Sequence, residues 1–351
     1  MIKELFIDRK RYLHDLTNGL KHGKDYVLIA PRRYGKTTLV QKILDEIKQN
    51  ENYITMHIDI MRYSGSVQSL AEGVLEGCLN ALGVVGRLKF WLKQIEFSFK
   101  LKLKYHEFEI EPLLQLARDK SDGWLLLEQS LLLLETAAIK TGKKLIVFFD
   151  EFGELHSLGE RVLKIFRSVI QLHKHVNYIF AGSQETLMTE IFVNKTAAFY
   201  RFGDLIFLKE LDRQEVVEHL DTMNLDYEIM EVILEKFKCH PYYTSKIIKD
   251  FMVEPSYSIS IDRFLDYIDN VLISQESGYL ELQLQKIKEK DHALDIITSL
   301  SMNLDPYNNP SISKQYVYAI LKSLEQSGFI TKIEKAKYLV SDPLLNLYLN
   351  H

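Results

Sequence analysis

The sequence predicts an α/β protein: a parallel β-sheet with helices in its connections, then a run of helices, then a small C-terminal unit of helices closed by a β-hairpin. Three observations predict this. An apolar run, Tyr26-Val27-Leu28-Ile29, passes through Ala30-Pro31-Arg32-Arg33-Tyr34-Gly35-Lys36-Thr37-Thr38 into the helical pattern that begins Leu39-Val40, the strand–loop–helix order of one βα unit. Two further runs, Leu145-Ile146-Val147-Phe148-Phe149 before Asp150-Glu151 and Tyr178-Ile179-Phe180-Ala181 before Gly182-Ser183-Gln184, have the unbroken apolarity of strands buried on both faces. From Asp291 onward the chain reads helix, turn, helix and two short strands.

The lead-in is a helix over residues 6–20, with Phe6, Tyr12, Leu13, Leu16 and Leu20 at mostly helical spacing and Gly23 ending it. The loop that follows the first strand has a defined chemistry. Apart from Ala30 where glycine usually stands, it reads as a phosphate-binding loop between a strand and a helix. Its successive backbone N–H groups would wrap phosphates, and the helix beginning near Lys36 would aim its positive end at them. Lys36 would reach the β- and γ-phosphates, and the Thr37 hydroxyl would ligate magnesium. If the Ala30 position demands a positive φ, the substitution costs on the order of 1 kcal/mol. Arg32 and Arg33 are candidates to touch phosphate or a partner subunit, against the ordinary alternative of solvated arginines on a loop.

A second strand over residues 53–60 carries Asp59 near its end, and a helix over residues 66–82 follows. Residues 97–106 then alternate apolar side chains with Lys100, Lys102, Lys104 and His106, the period of a half-buried strand. With Arg87, Lys89 and Lys93 they form a basic patch, suited either to a phosphate backbone or to an edge strand protected by lysines from aggregation. After a helix over residues 124–138 comes the strand ending in Asp150-Glu151. Opposite a phosphate loop, Asp150 is suited to support magnesium and Glu151 to orient and polarise an attacking water. Ser183, with Gln184 in reserve, is the candidate polar group beside the γ-phosphate; a turn residue at the strand's end is the alternative. Arg201, in Phe199-Tyr200-Arg201-Phe202-Gly203, stands before a last strand, placed either to reach a γ-phosphate or to make a surface ion pair.

Bulk properties set limits. The 351 residues, 46% hydrophobic, suffice for a sizeable core and are too many for one small domain. A formal charge of -4 gives no global attraction to nucleic acid or anionic membrane, so any basic contact is local. Cys78 and Cys239 form neither a disulfide framework nor a zinc motif. The charged start is unlike a signal peptide, and the apolar run over residues 124–139 is broken by Glu128, Gln129, Ser130 and Glu135. A cytoplasmic protein with no membrane partner is expected.

Together, Pro31 to Thr37, Phe149-Asp150-Glu151-Phe152, Ala181-Gly182-Ser183, Phe199-Tyr200-Arg201 and His240-Pro241-Tyr242-Tyr243 resemble the archaeal-type ATPase family, in the signal-transducing branch of the AAA-like P-loop ATPases. The resemblance runs from about residue 6 to residue 348. It implies a P-loop NTPase core of the additional-strand type with parallel strand order 5-1-4-3-2, a helical lid and a C-terminal winged helix. It also implies ATP and magnesium as ligands, a functional role for Arg201, and Pro241 near the nucleotide base. The departures are Ala30 for the usual glycine, Tyr200 before Arg201, and Cys239 before the His-Pro pair.

The expected domains are 1–210, the ATPase core; 211–288, the lid, opening at Asp212 as an N-cap with Glu215 three residues on; and 289–351, the winged helix. In the last, a turn over residues 305–310 precedes a helix over residues 313–326, and Glu334-Lys335-Ala336 forms the hairpin tip. Lys314, Gln315 and Lys322 against Glu325 make that helix weakly basic, so DNA is a candidate partner beside a protein partner or a second copy of the chain. The expected reaction is hydrolysis of ATP to ADP and phosphate. A nucleotide switch that scarcely turns over, and a DNA-binding protein with an auxiliary ATPase, are the alternatives.

Overall fold

The computed structural model describes residues 9–83, 104–105, 108–109, 123–222, 225–252, 260–334 and 337–350. The chain forms two compact units, Lys10–Leu208 and Lys209–His351, the second taking in Arg9. Each has its own apolar core, one built from Val27 to Phe199 and the other from Leu211 to Leu345.

The first unit is built on five parallel strands: β1 (Tyr26–Ile29), β2 (Tyr53–Asp59), β3 (Lys144–Asp150), β4 (Val176–Gly182) and β5 (Asp204–Phe207). Their spatial order, β5-β1-β4-β3-β2, is the 5-1-4-3-2 order that the resemblance implies. The central strands β1 and β4 are buried along their whole length, and β3 from its second residue on, as their unbroken apolar sequences require. Among the described residues, helices α1 (Lys10–Lys21), α2 (Lys36–Lys48), α3 (Val67–Ala81), α4 (Gly123–Thr141), α5 (Glu160–Ile170) and α6 (Glu185–Phe192) belong to the same unit. Ser66 caps α3 by accepting from the Ser69 N–H.

Register is what matters for the site. Ile29 lies opposite Gly182, Phe149 opposite Phe180, and Asp59 opposite Asp150. The carboxyl ends of four parallel strands therefore reach one edge of the sheet together, the place where open α/β sheets hold ligands. Below that edge, Phe149, Phe152, Phe166, Tyr178, Phe180 and Phe199 pack as stacked and edge-to-face rings. The Phe152 and Phe180 centroids are 4.6 Å apart, and those of Phe152 and Phe199 are 5.3 Å apart. The Phe152 ring anchors the turn immediately after Asp150-Glu151. Most of the expected alternating strand over residues 97–106, together with Arg87, Lys89 and Lys93, lies outside the described residues. The described part is a short antiparallel pair, Lys104–Tyr105 with Phe108–Glu109.

In the second unit, α7 (Arg213–Asp221) is capped as expected: Asp212 Oδ1 accepts from the N–H groups of Gln214 and Glu215. Helices α8 (Tyr227–Phe237), α9 (Pro241–Met252), α10 (Ile261–Asp266), α11 (Ser277–Lys288), α12 (Ala293–Ser301) and α13 (Lys314–Gln326) follow, with a π-helical turn at Tyr267–Leu272 after α10. Strands β6 (Ile330–Glu334) and β7 (Lys337–Val340) form an antiparallel hairpin, whose expected tip residues Lys335 and Ala336 lie outside the described residues. A final helix, α14 (Pro343–Tyr348), was not expected from the sequence. Asp342 caps it through the Leu344 and Leu345 N–H groups and also accepts the hydroxyls of Tyr243 and Tyr279. The Tyr242 hydroxyl donates to the buried Glu276 carboxylate at 2.6 Å. The paired tyrosines of the His-Pro-Tyr-Tyr stretch thus serve the interior of this unit.

At the other edge of the sheet, Asp25 Oδ1 accepts the Tyr178 N–H at 2.8 Å, tying β1 to β4. Burial pushes this carboxyl up to about 6, while its hydrogen bonds to Tyr178 and Asn177 and the nearby Arg167 act against the rise. With the folded value above the unfolded one, the folded state binds the extra proton. Its stability is full below pH 4 and falls as pH rises through 6, by at most about 3 kcal/mol. Thermal melts of Asp25→Asn, which keeps an acceptor for Tyr178 and carries no charge, are expected to exceed wild type at pH 8 and to match it near pH 4.5.

Candidate functional site

The loop after β1 takes its shape from two left-handed residues, Arg33 (φ 67°) and Gly35 (φ 77°). Gly35 precedes α2 directly, and a side chain there would be strained whatever the space around it. Ala30 is fully buried and is not left-handed, so its replacement of glycine carries no backbone strain. The cost anticipated at Ala30 falls instead on Arg33, at roughly 1 kcal/mol or more for a non-glycine residue in that region.

Lys36 opens α2 with its side chain 5% exposed, and its ammonium donates to the carbonyls of Ala30 at 2.7 Å and Pro31 at 3.0 Å. Burial pulls the amine down to about 8, and the neighbouring Glu151 and Asp150 pull it back up. At the next residue of the same helix the Thr37 hydroxyl donates to Asp150 Oδ2 at 2.6 Å, while Asp150 Oδ1 accepts the Glu151 N–H. Burial alone would raise the Asp150 carboxyl. The neighbouring His57, the Thr37 hydroxyl and the Glu151 N–H outweigh it and hold the group below the usual carboxylate range.

Glu151 is itself left-handed (φ 49°, ψ 44°), an uncommon conformation for a residue with a side chain. Its Oε2 accepts both the N–H of Ser183 at 3.0 Å and the Ser183 hydroxyl at 2.8 Å. A second bond, Gln184 Nε2 to Glu154 Oε1 at 2.8 Å, joins the same two strand ends. A cleft of about 870 Å³ opens over this edge, and Lys36, Thr37, Asp150, Glu151, His57 and Arg62 are among the residues that line it.

The fold thus brings together the loop, Asp150, Glu151 and Ser183. Arg32, Arg33, Gly35 and Thr38 also line the cleft, whereas Tyr34 is buried and does not. Arg201 is left-handed (φ 56°) and exposed, its guanidinium 5.3 Å from the Tyr200 ring centre, and it is not among the lining residues. Pro241 belongs to the second unit, where it opens α9 after the buried His240. Sequence reasoning missed His57 and Arg62. A lone histidine in an alternating strand reads as surface, and an arginine in a turn carries no signal of a cleft.

The donor set fits the expected ligands. A hydroxyl and a carboxylate oxygen 2.6 Å apart are the hard oxygen donors magnesium prefers. A buried ammonium at a helix N-terminus, behind a loop with left-handed turns, suits phosphate.

This sheet order and this loop define the nucleotide-binding P-loop ATPase class. Residues 6–238 match the family described as an ATPase domain predominantly from Archaea, and the chain belongs to that family. It is similar to a protein of Methanocaldococcus jannaschii described as an uncharacterized ATP-binding protein, with 21% identity over 344 residues, 91% of this chain and 92% of that one. A second such protein of the same organism is 22% identical over 303 residues, 82% of each chain. Among solved structures, a Walker-type ATPase of Pyrococcus abyssi superposes with a TM-score of 0.71 at 18% identity, over 99% of this chain and 97% of that one, a likeness of fold. Among the described residues, no helix is long and apolar enough to cross a membrane.

A phosphate bound at Lys36 would favour its charged amine, so binding above pH 8 would take up a proton. Affinity for ATP is expected to be insensitive to this group below about pH 7 and to fall above pH 8, approaching tenfold per unit. Calorimetric titrations from pH 7 to 9.5 check this, with the slope absent in Lys36→Met.

Proposed function

We propose that the protein hydrolyses ATP to ADP and phosphate with magnesium. The convergence of Lys36, Thr37, Asp150 and Glu151 on one cleft, from two strand ends separated by β4, is the observation that carries this reading. Lys36 exchanges its two carbonyl partners for the β- and γ-phosphates. Thr37 donates its one hydrogen to Asp150, which keeps its oxygen lone pairs for the ion, and Asp150 holds the ion through water. Magnesium, when bound, neutralises charge on the phosphates. Glu151 accepts a hydrogen bond from the attacking water and orients it. Ser183 stands beside it, able to pass its hydroxyl from Glu151 to a γ-phosphate oxygen. Arg201, exposed and held on a turn between the buried Phe199 and the partly buried Phe202, stabilises transition-state charge, in this subunit or a neighbour's.

Residues 211–288 act as a helical lid, with Pro241 near the base, and residues 289–351 as a winged helix. ATP and ADP shift their arrangement by differing affinity for the two states. Helix α13 exposes Lys314, Tyr318 and Lys322 in one row, a surface on which DNA or a partner protein could lie. One observation favours a second reading, a switch that binds ATP and scarcely turns it over: both Ser183 donors occupy Glu151 Oε2, which ties up the base.

Phosphate release from ATP by wild type, Glu151→Gln and Arg201→Ala, at several protein concentrations and with or without duplex DNA, separates these readings. A hydrolase is expected to lose turnover by about 100-fold or more in Glu151→Gln while keeping ATP affinity. Turnover that rises with protein concentration and fails in Arg201→Ala marks a neighbour's arginine. Tight ATP binding with no turnover in wild type marks the switch.

A further inference from the structure

Strand β2 runs beside β3 with His57 opposite Phe148 and Asp59 opposite Asp150. The His57 ring stacks on Phe148, centroids 4.7 Å apart and planes 14° from parallel. Phe148 is wholly buried, so the histidine ring lies on an immobile support. This places His57 Nε2 3.8 Å from Asp150 Oδ2, the oxygen that also accepts the Thr37 hydroxyl. The side chain is 32% exposed, and the part left open lines the cleft. Asp150 therefore has neighbours on three sides: it accepts hydrogen bonds from the Thr37 hydroxyl and the Glu151 N–H, and His57 Nε2 from the neighbouring strand stands 3.8 Å from its Oδ2, within ion-pair range.

Magnesium makes this arrangement consequential. The ion demands near-octahedral geometry at about 2.1 Å and keeps several of its waters, so a carboxylate that supports it must be held at a fixed angle and distance. Groups that orient a metal's supporting ligands commonly change metal affinity by about 10- to 100-fold when removed. Resting on the ATP-and-magnesium reading above, we propose that His57 is a positioning residue for the magnesium ion, holding Asp150 Oδ2 where the carboxylate and the Thr37 hydroxyl together can support it.

The test is binding of a fluorescent, non-hydrolysable ATP analogue across a magnesium series and in EDTA, for wild type, His57→Ala, His57→Gln and Thr37→Ala, with melting curves to establish folding. His57→Ala is expected to need about tenfold more magnesium for half-maximal tightening and to bind as wild type does in EDTA. His57→Gln, which keeps an N–H donor, is expected to recover part of the loss. An unchanged magnesium requirement in His57→Ala, beside a Thr37→Ala that loses its response, overturns the role of His57 and leaves the nucleotide reading standing. Equal weakening with and without magnesium also overturns it, because that marks general damage to the site. Wild-type binding indifferent to magnesium overturns the magnesium reading itself, and this inference with it.

Discussion

The hydrogen bond from Thr37 to Asp150 joins residues 113 positions apart, and the site depends on the constraint that makes it possible. Strands β1 and β3 do not touch; β4 lies between them, and its register with each sets how far their ends project. A slip of one residue in either pairing would exchange the two faces of a strand and carry its last side chains away from the edge. The ring cluster under the edge opposes such a slip, since Phe149 of β3, Phe152 of the turn after β3 and Phe180 of β4 fill one another's space.

Polar groups at that edge are costly to bury, and their pairings show how the cost is met. Among the described residues the Lys36 ammonium donates to two backbone carbonyls, and burial lowers its amine by stripping away solvent. The carboxylates are better served, Asp150 by a hydroxyl and an N–H and Glu151 by both donors of Ser183. These polar groups are paired with one another by the scaffold, so none of the bonds depends on a ligand. The left-handed conformations of Arg33 and Glu151 belong to the same account, as local strain carried by a rigid sheet.

The second unit repeats the theme with different chemistry. Asp342 gathers two tyrosine hydroxyls and two helix N–H groups, linking α9, α11 and α14. Tyr243 and Tyr279 lie 36 positions apart, and both lie far from Asp342 in sequence. No local pattern announces the meeting. The His-Pro-Tyr-Tyr stretch enters the sequence reading through the resemblance, and the packed unit shows its tyrosine hydroxyls bonded to Glu276 and Asp342.

The sequence by itself determined the strand–loop–helix unit at Lys36, the buried strands that lead to Asp150 and Ser183, the Asp212 cap and the hairpin after α13, because these rest on local periodicity and on residues with fixed conformational preferences. It also marked Lys36, Thr37, Asp150 and Glu151, whose residue types and spacing are tied to phosphate chemistry. Tertiary structure decided what depends on neighbours distant in the chain: that Ser183 bonds to Glu151, that His57 flanks Asp150, that strain sits at Arg33 and not Ala30, and that Arg201 is exposed and does not line the cleft. Those facts follow from strand register and packing, and both are set by contacts whose partners are separated by tens to hundreds of residues.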